Sequence, residues 1–317
     1  MQRRELLKTL ALAGVASAFG VRSGALDALQ ASGAEKVEGF SFIFFTDTHI
    51  QPELRAADGC RACFSQFTGI RADFVMCGGD LVYDALGVDG TRAHLLWNLY
   101  KETAASIHLP IHYTIGNHDV FGILTKSGVS PSDPEYGKKA FEDRYGPTHY
   151  SFDHKGWHFV VLDSIGVQPD RTWTGEVGDA QIAWLKADLD KTGKHTPVLV
   201  VTHIPLVTGA VNYVSRPDWL KRTPNVGNLV NSLMVTDAAE VIDVLLDYNV
   251  RGVLQGHTHI NEEIVFRNLR FSTSGAVCGD WWKGPRAGSA EGYSIVTLSA
   301  DGGMRREYRN YGFRASV

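Results

Sequence analysis

No long run of basic residues occurs in this chain of 317 residues, and its 31 lysines and arginines are outnumbered by 35 aspartates and glutamates. The net charge is −4, and no RNA-binding signature is present. Both argue against nucleic acid as a partner, because phosphate backbones are held by clustered cations. Cysteine is scarce: Cys60, Cys63, Cys77 and Cys278. Cys60-Arg-Ala-Cys63 has the spacing of half a metal site, but no second pair completes it. Two readings stand for it: two small residues on one face of a helix over 54–69, and a strained disulfide or redox pair. No internal repeat, low-complexity tract or linker divides the chain. At 44% hydrophobic and 21% charged residues, it has the composition of an ordinary globular protein.

The apolar stretch over residues 9–20 is too short to span a bilayer comfortably. It follows Arg3-Arg4-Glu5-Leu6-Leu7-Lys8 and contains Ala16-Ser17-Ala18. A charged start, a short apolar core and small residues describe an export signal. The paired arginines are similar to a twin-arginine leader, read by the twin-arginine translocation machinery; a general secretory signal with two basic residues is the other reading. No cysteine lies near the expected cleavage point, so no lipid or other stable membrane anchor is expected. Residues 1–34 are expected to be leader and short disordered segment, with a domain over 35–317 working in the periplasm or outside the cell. Removing the leader takes away four basic and two acidic side chains, and the net charge moves from −4 to −6.

What the chain does have is a series of polar clusters in loops. Asp47-Thr48-His49, Gly79-Asp80, Gly116-Asn117-His118-Asp119, Thr202-His203 and Gly256-His257-Thr258-His259 each follow an apolar, β-prone run. Each should therefore leave the C-terminal end of a strand, the edge where open α/β sheets bind ligands. Asp, Asn and His supply the hard oxygens and imidazoles that a pair of hydrolytic cations needs.

In this order and spacing the five clusters resemble the calcineurin-like metallophosphoesterases, whose blocks read D-x-H, G-D, G-N-H-D/E, H and G-H-x-H. The resemblance runs from about residue 40 to 259. It implies an α/β fold, a four-layer α/β/β/α sandwich of two stacked mixed sheets. It also implies two metal ions, iron, manganese or zinc, about 3.5–4 Å apart and sharing a hydroxide that attacks a small phosphate ester. Asp47, His49, His259 and Asp80 would hold one ion, and Asn117, His203, His257 and Asp80 the other, with Asp80 bridging. The i, i+2 histidines of an extended segment point the same way, which suits His257 and His259 to neighbouring ions. His118 would protonate the leaving oxygen, with Asp119 holding its imidazole; a purely structural histidine is the other reading.

Gly79-Asp80-Leu81-Val82-Tyr83 also fits the G-D-x-x-Y of purple acid phosphatases, whose tyrosine binds iron(III). Those enzymes lack the histidine present here as His49, so Tyr83 either binds metal or packs near the site and substrate. Asp84 is either a partner to a ligand or a solvated loop acid. The overall pattern looks most like the bacterial cyclic-nucleotide phosphodiesterase branch. That favours a phosphodiester substrate, with a phosphomonoester, a nuclease and a non-catalytic binding protein as alternatives.

Alternating apolar patterns predict strands and helices in the first half and hairpins late, with strands in 263–310 completing the second sheet. Asp179 is expected to cap a helix over 179–189. Two loops should select substrate: residues 205–231, with Tyr213, Arg216, Trp219, Lys221 and Arg222, and residues 275–291, with Asp280-Trp281-Trp282-Lys283-Gly284-Pro285-Arg286. The two tryptophans either stack on a base or sugar or lock the final strands to the sheet.

Overall fold

Strand β1 (Phe40–Phe45) is apolar at every position but Ser41 because both of its faces are covered. Phe42 and Phe44 join a core with Phe74, Met76, Phe159 and Leu199, whereas Ile43 and Phe45 join one with Cys60, Phe64 and Leu96. The period of two thus sorts one strand between an inner and an outer layer. The computed structural model describes residues 39–211 and 232–315. The leader at 1–34 and Tyr213, Arg216, Trp219, Lys221 and Arg222 lie outside them. The described residues belong to the unit Glu38–Val317.

Two mixed sheets lie face to face around the inner core. In the first, β2 (Val75–Cys77) and β3 (Ile111–Tyr113) run parallel to β1 on one side. On the other, β12 (Gly292–Leu298) and β13 (Met304–Asn310) are antiparallel additions, giving the order β13-β12-β1-β2-β3. The second sheet combines β4 (Tyr150–His154), β5 (Trp157–Leu162), β8 (Val198–Thr202), β9 (Val250–Gln255), β10 (Glu262–Phe266) and β11 (Leu269–Thr273) in the order β10-β11-β9-β8-β5-β4. A small ribbon pairs β6 (Ile165–Val167) with β7 (Trp173–Gly175).

Helices α1 (Ala56–Ser65) and α2 (Gly90–Ala104) bury Cys60, Phe64, Leu96 and Trp97 on the outside of the first sheet. A short helix α3 is formed by Lys139–Tyr145. On the second sheet, α4 (Asp179–Thr192) and α5 (Ala238–Leu246) bury Leu185, Leu189, Val241 and Leu245. The expected four-layer α/β/β/α sandwich is therefore the observed fold. The inner layer is knitted by aromatics: Phe74 stacks on Phe42 (centroids 5.0 Å apart) and meets Phe159 edge-on (5.5 Å).

Two expectations differ. The strands in 263–310 do not complete one sheet: β10 and β11 extend the second, while β12 and β13 extend the first. Asp179 is the first residue of α4, and the cap position is Gly178 (φ 83°). The carboxylate serving that helix start is Asp237, which accepts N–H groups of Val177 (3.0 Å) and Gly178 (2.6 Å) and so ties the entry of α4 to that of α5. Among the described residues no helix is long and apolar enough to cross a membrane.

Candidate metal centre

The five clusters leave the C-terminal ends of β1, β2, β3, β8 and β9. Their backbones are laced together: Asp47 N–H donates to Gly79 O (2.9 Å), His49 N–H to Asp80 O (3.1 Å) and Gly256 N–H to His203 O (3.0 Å). Five of the seven expected donors have left-handed backbones: Asp47 (φ 55°), His49 (38°), Asp80 (54°), His257 (70°) and His259 (61°). Each such residue costs roughly 1–3 kcal/mol and persists only where its surroundings fix it. His257 and His259 are thus not part of an extended segment, as their spacing suggested. A turn closed by Thr258 N–H on Gly256 O (2.8 Å) presents both to the site.

Asp80 is central. Its Oδ2 lies 3.4 Å from His49 Nε2 and 3.1 Å from His203 Nε2, and its Oδ1 accepts His118 N–H at 2.8 Å. Asp47 Oδ1 lies 3.3 Å from His259 Nε2 and 3.7 Å from His49 Nε2. Its Oδ2 accepts the Thr46 hydroxyl (2.6 Å) and His257 N–H (3.0 Å). Backbone carbonyls then fix which imidazole nitrogen is free. Gly78 O takes His203 Nδ1 (2.7 Å), Gly279 O takes His259 Nδ1 (2.6 Å) and Ser232 O takes His257 Nε2 (2.7 Å). Carbonyls accept only, so each of those nitrogens carries a proton and the opposite one is the candidate ligand.

Asn117 Oδ1, His203 Nε2 and His257 Nδ1 are buried with no hydrogen-bond partner. His203 Nε2 is near Asp80 but misaligned for a hydrogen bond. Buried polar atoms are rarely left unpaired. Three of them beside a carboxylate fit a cation that prefers nitrogen and oxygen donors. Asp80 can meet a ligand group with His203 and His257 and another with His49 and His118.

Electrostatics agree. Burial pushes both carboxyls up, but the histidines overcome it, His259 foremost at Asp47 and His203 at Asp80, and hold both well below the usual range. Burial opposes charge on His203, yet Asp80 carries it up to about 9. Burial pushes His49 and His257 down to about 4. Without a cation the site is an anionic pair with neutral and protonated imidazoles, and the protons occupy places a cation can take.

A cleft of about 540 Å³ opens over these groups, lined by Asn117, His118, His257, His259, Trp173 and Trp281 among others. A family model described as calcineurin-like phosphoesterase matches residues 40–261. The chain belongs to that family.

A probable cyclic nucleotide phosphodiesterase of Rhodococcus erythropolis is 23% identical over 211 residues, 67% of this chain and 59% of its own length. The chain thus spans less than two thirds of that relative. The 3',5'-cyclic adenosine monophosphate phosphodiesterase CpdA of Escherichia coli is 25% identical over 249 residues, 74% of this chain and 73% of the relative. Among solved structures, a dimetal phosphatase from Danio rerio superposes with a TM-score of 0.60 at 16% identity, covering 86% of this chain and 96% of that one. At that identity the likeness speaks for the fold alone. The family is metal-dependent, in keeping with the donor set.

Within this family member the expected pair of His118 and Asp119 does not form. Asp119 is buried and accepts backbone N–H groups of Leu81 (2.8 Å), Val82 (3.4 Å) and Gly116 (3.0 Å). It fastens the Asp80 loop to the Asn117 loop and leaves His118 Nδ1 without a partner. His118 is placed by its backbone instead, through its N–H on Asp80 and its carbonyl accepting from Ala85 N–H (2.8 Å). Tyr83 sits at the rim with its ring edge-on to Trp281 at 5.5 Å. Asp84 caps the turn at Gly87 N–H (3.0 Å). Cys60 and Cys63 are free and buried on α1, the small-residue reading.

Trp282 is buried with Nε1–H on His49 O (3.0 Å) and its ring against Gly59, so it fastens its turn to the His49 loop and α1, while Trp281 lines the cleft. Sequence reasoning missed Cys278, whose buried Sγ is 3.6 Å from His259 Nδ1. It also missed the carbonyls of Gly78, Ser232 and Gly279. A carbonyl leaves no trace in residue type, and the lone cysteine stands outside every motif.

Proposed function

We propose that this protein is an exported phosphodiesterase that works with two metal ions held by Asp47, His49, His259, Asp80, Asn117, His203 and His257. The observation that carries the reading is the Asp80 carboxylate, whose Oδ2 faces His49 on one side and His203 on the other. One carboxylate between two imidazole sets is the arrangement that a shared pair of cations requires. Bound there, the ions would act as Lewis acids on the phosphoryl group and on a water nucleophile.

The chain's own residues do the rest. Asp47 and Asp80 supply negative charge, and Asn117 completes the donors without adding more. His118, on the cleft wall and fixed by its backbone, gives a proton to the leaving oxygen. Asp119 keeps the two loops in register.

The lining favours a singly charged diester. Among the described lining residues the one lysine or arginine is Arg286, and its guanidinium is paired with Asp280 at 2.8 Å. A dianionic monoester therefore meets no unpaired lysine or arginine among those residues. The similarity to two cyclic-nucleotide phosphodiesterases points the same way. Metal analysis of purified protein, with kcat/KM for a matched aryl monoester and diester, tests the reading. Two equivalents of metal and a diester rate at least equal to the monoester rate are expected. A monoester advantage beyond about tenfold, or 1.4 kcal/mol, overturns diester preference, and activity in metal-free protein overturns the centre.

Export rests on Arg3-Arg4 and the apolar residues that follow. Replacing both arginines by lysine should keep the enzyme active but inside the cytoplasm; undiminished export excludes the twin-arginine route.

A further inference from the structure

Trp281 and Trp282 are consecutive residues with left-handed backbones, φ 56° and 67°. Bulky side chains hold that conformation only under constraint, and the constraints are visible. Asp280 N–H donates to Gly284 O (2.7 Å), Trp282 N–H to Cys278 O (2.7 Å) and Lys283 N–H to Asp280 O (3.0 Å). Trp282 anchors the turn: its ring lies where a Cβ on Gly59 would come within 2.1 Å, and its indole N–H binds the His49 carbonyl.

Trp281 is carried into the cleft wall. Its ring centroid is 4.0 Å from that of His49, 5.1 Å from His118 and 5.4 Å from His259. Trp173 lines the same cleft and meets His257 edge-on at 5.9 Å. Between them the lining includes Leu233, Ile260 and Ala287. A phosphate held at the donors would therefore carry its substituents into a half-apolar space with an indole on the wall.

We propose that Trp281 is the specificity-determining residue of this cleft, a stacking platform for a planar group, nucleobase or aryl ring, esterified to the phosphate. This rests on the phosphoesterase reading for the position of the phosphate. Among the described lining residues the one lysine or arginine, Arg286, is already paired, so selectivity among them falls to the rings. The strained, hydrogen-bonded turn holds the indole in place before substrate arrives, so stacking costs little side-chain entropy. A flexible aliphatic alcohol would leave the indole face wet and gain nothing from it. The competing role for Trp281 is to buttress His49, which it also touches.

Binding separates the two roles without any need for turnover. Adenosine 5'-monophosphate, phenyl phosphate and methyl phosphate are titrated calorimetrically into the full manganese-loaded chain. At least one ring-bearing ligand should bind about tenfold tighter than methyl phosphate, within the usual range for a base on an aromatic side chain. Trp281→Leu, which keeps apolar bulk but no π face, should remove that advantage, leave methyl phosphate within about twofold and leave metal content unchanged. Trp281→Phe should restore most of the advantage. An advantage confined to the nucleotide identifies a base, and one shared with phenyl phosphate identifies any aryl ring.

Equal weakening of all three ligands, or loss of metal in Trp281→Leu, makes the residue a support for His49 and overturns the proposal. So does wild-type binding that ignores the ring. Ring-selective binding without hydrolysis of any phosphoester leaves the platform standing and strikes the phosphodiesterase reading alone.

Discussion

Replacing Gly116 by alanine tests the site through space rather than charge. Gly116 has φ −103° and ψ 170°, ordinary extended backbone that alanine adopts freely. On conformational grounds alone the change should stabilise the protein by about 0.4–1 kcal/mol, by restricting the unfolded chain. The site forbids it. A Cβ there would lie 2.1 Å from Asp80 Oδ1 and 2.2 Å from the Asp80 backbone nitrogen. Neither atom can swing aside, because Asp80 Oδ1 holds His118 N–H and the Asp80 carbonyl holds His49 N–H.

Overpacking typically costs 1–3 kcal/mol, and contact with fixed backbone places this case at about 3. For a domain of this size that corresponds to a fall in Tm of roughly 6–12 °C. The displaced carboxylate should also lower metal occupancy. Gly128→Ala is the control: Gly128 has φ 71° but nothing within 4 Å of a new Cβ, so it should show about 1–2 kcal/mol of backbone strain and full metal. Differential scanning calorimetry with metal analysis reads both variants. A Gly116→Ala protein that melts like wild type and holds its metals would refute the placement of Asp80 against the Asn117 loop.

Three further outcomes follow from the same geometry. His118→Ala should keep its metals and lose turnover by about 10²–10⁴-fold, with a smaller loss for esters of acidic alcohols; equal losses across leaving groups would show that His118 only positions the substrate. Asp119→Ala should unfold more easily by roughly 3 kcal/mol or more, because the buried Leu81, Val82 and Gly116 N–H groups lose their acceptor, whereas a residue that merely orients His118 would leave the melting curve unchanged. In metal-free protein the folded pKa of His203 is raised from 6.5 to about 9, so its ion pair with Asp80 stabilises fully below about pH 6.5 and is lost as pH rises through 9. Metal uptake at neutral pH should then release protons and tighten with rising pH, as titration in weak buffer will show; uptake without proton release would contradict the assigned charge states.

Much of this was legible in the chain because type and position coincide at the donors. Asp47, His49, Asp80, Asn117, His203, His257 and His259 each stand directly behind a β-prone run, and the strands put them at one edge. The nearly unbroken apolar run of β1 marks a strand covered on both faces. Long-range pairing was less visible: β12 beside β1 and β10 beside β11 look alike as hairpin strands, since local pattern carries no address for a distant partner. Asp119 was misassigned to His118 because adjacency suggests pairing, whereas its carboxylate turns back to N–H groups 37 and 38 residues away. Trp281 and Trp282 were indistinguishable by type, and only two left-handed backbones in succession send one inward and the other to the cleft.

The pairing of β1 with β12, Phe40 opposite Leu298, has a consequence for how the chain is made. The strand that delivers Asp47 and His49 emerges from the ribosome long before its neighbour on one side. Cys278 N–H on Asp47 O and Val277 N–H on Thr46 O close the same loop from equally late residues. Loop closure over so long a span is slow, and until it occurs the apolar faces of β1 lack part of their cover and invite aggregation. Stable acquisition of metal should therefore wait until β12 has been made. A nascent chain halted before residue 292 should remain protease-sensitive around β1 however much metal the medium contains.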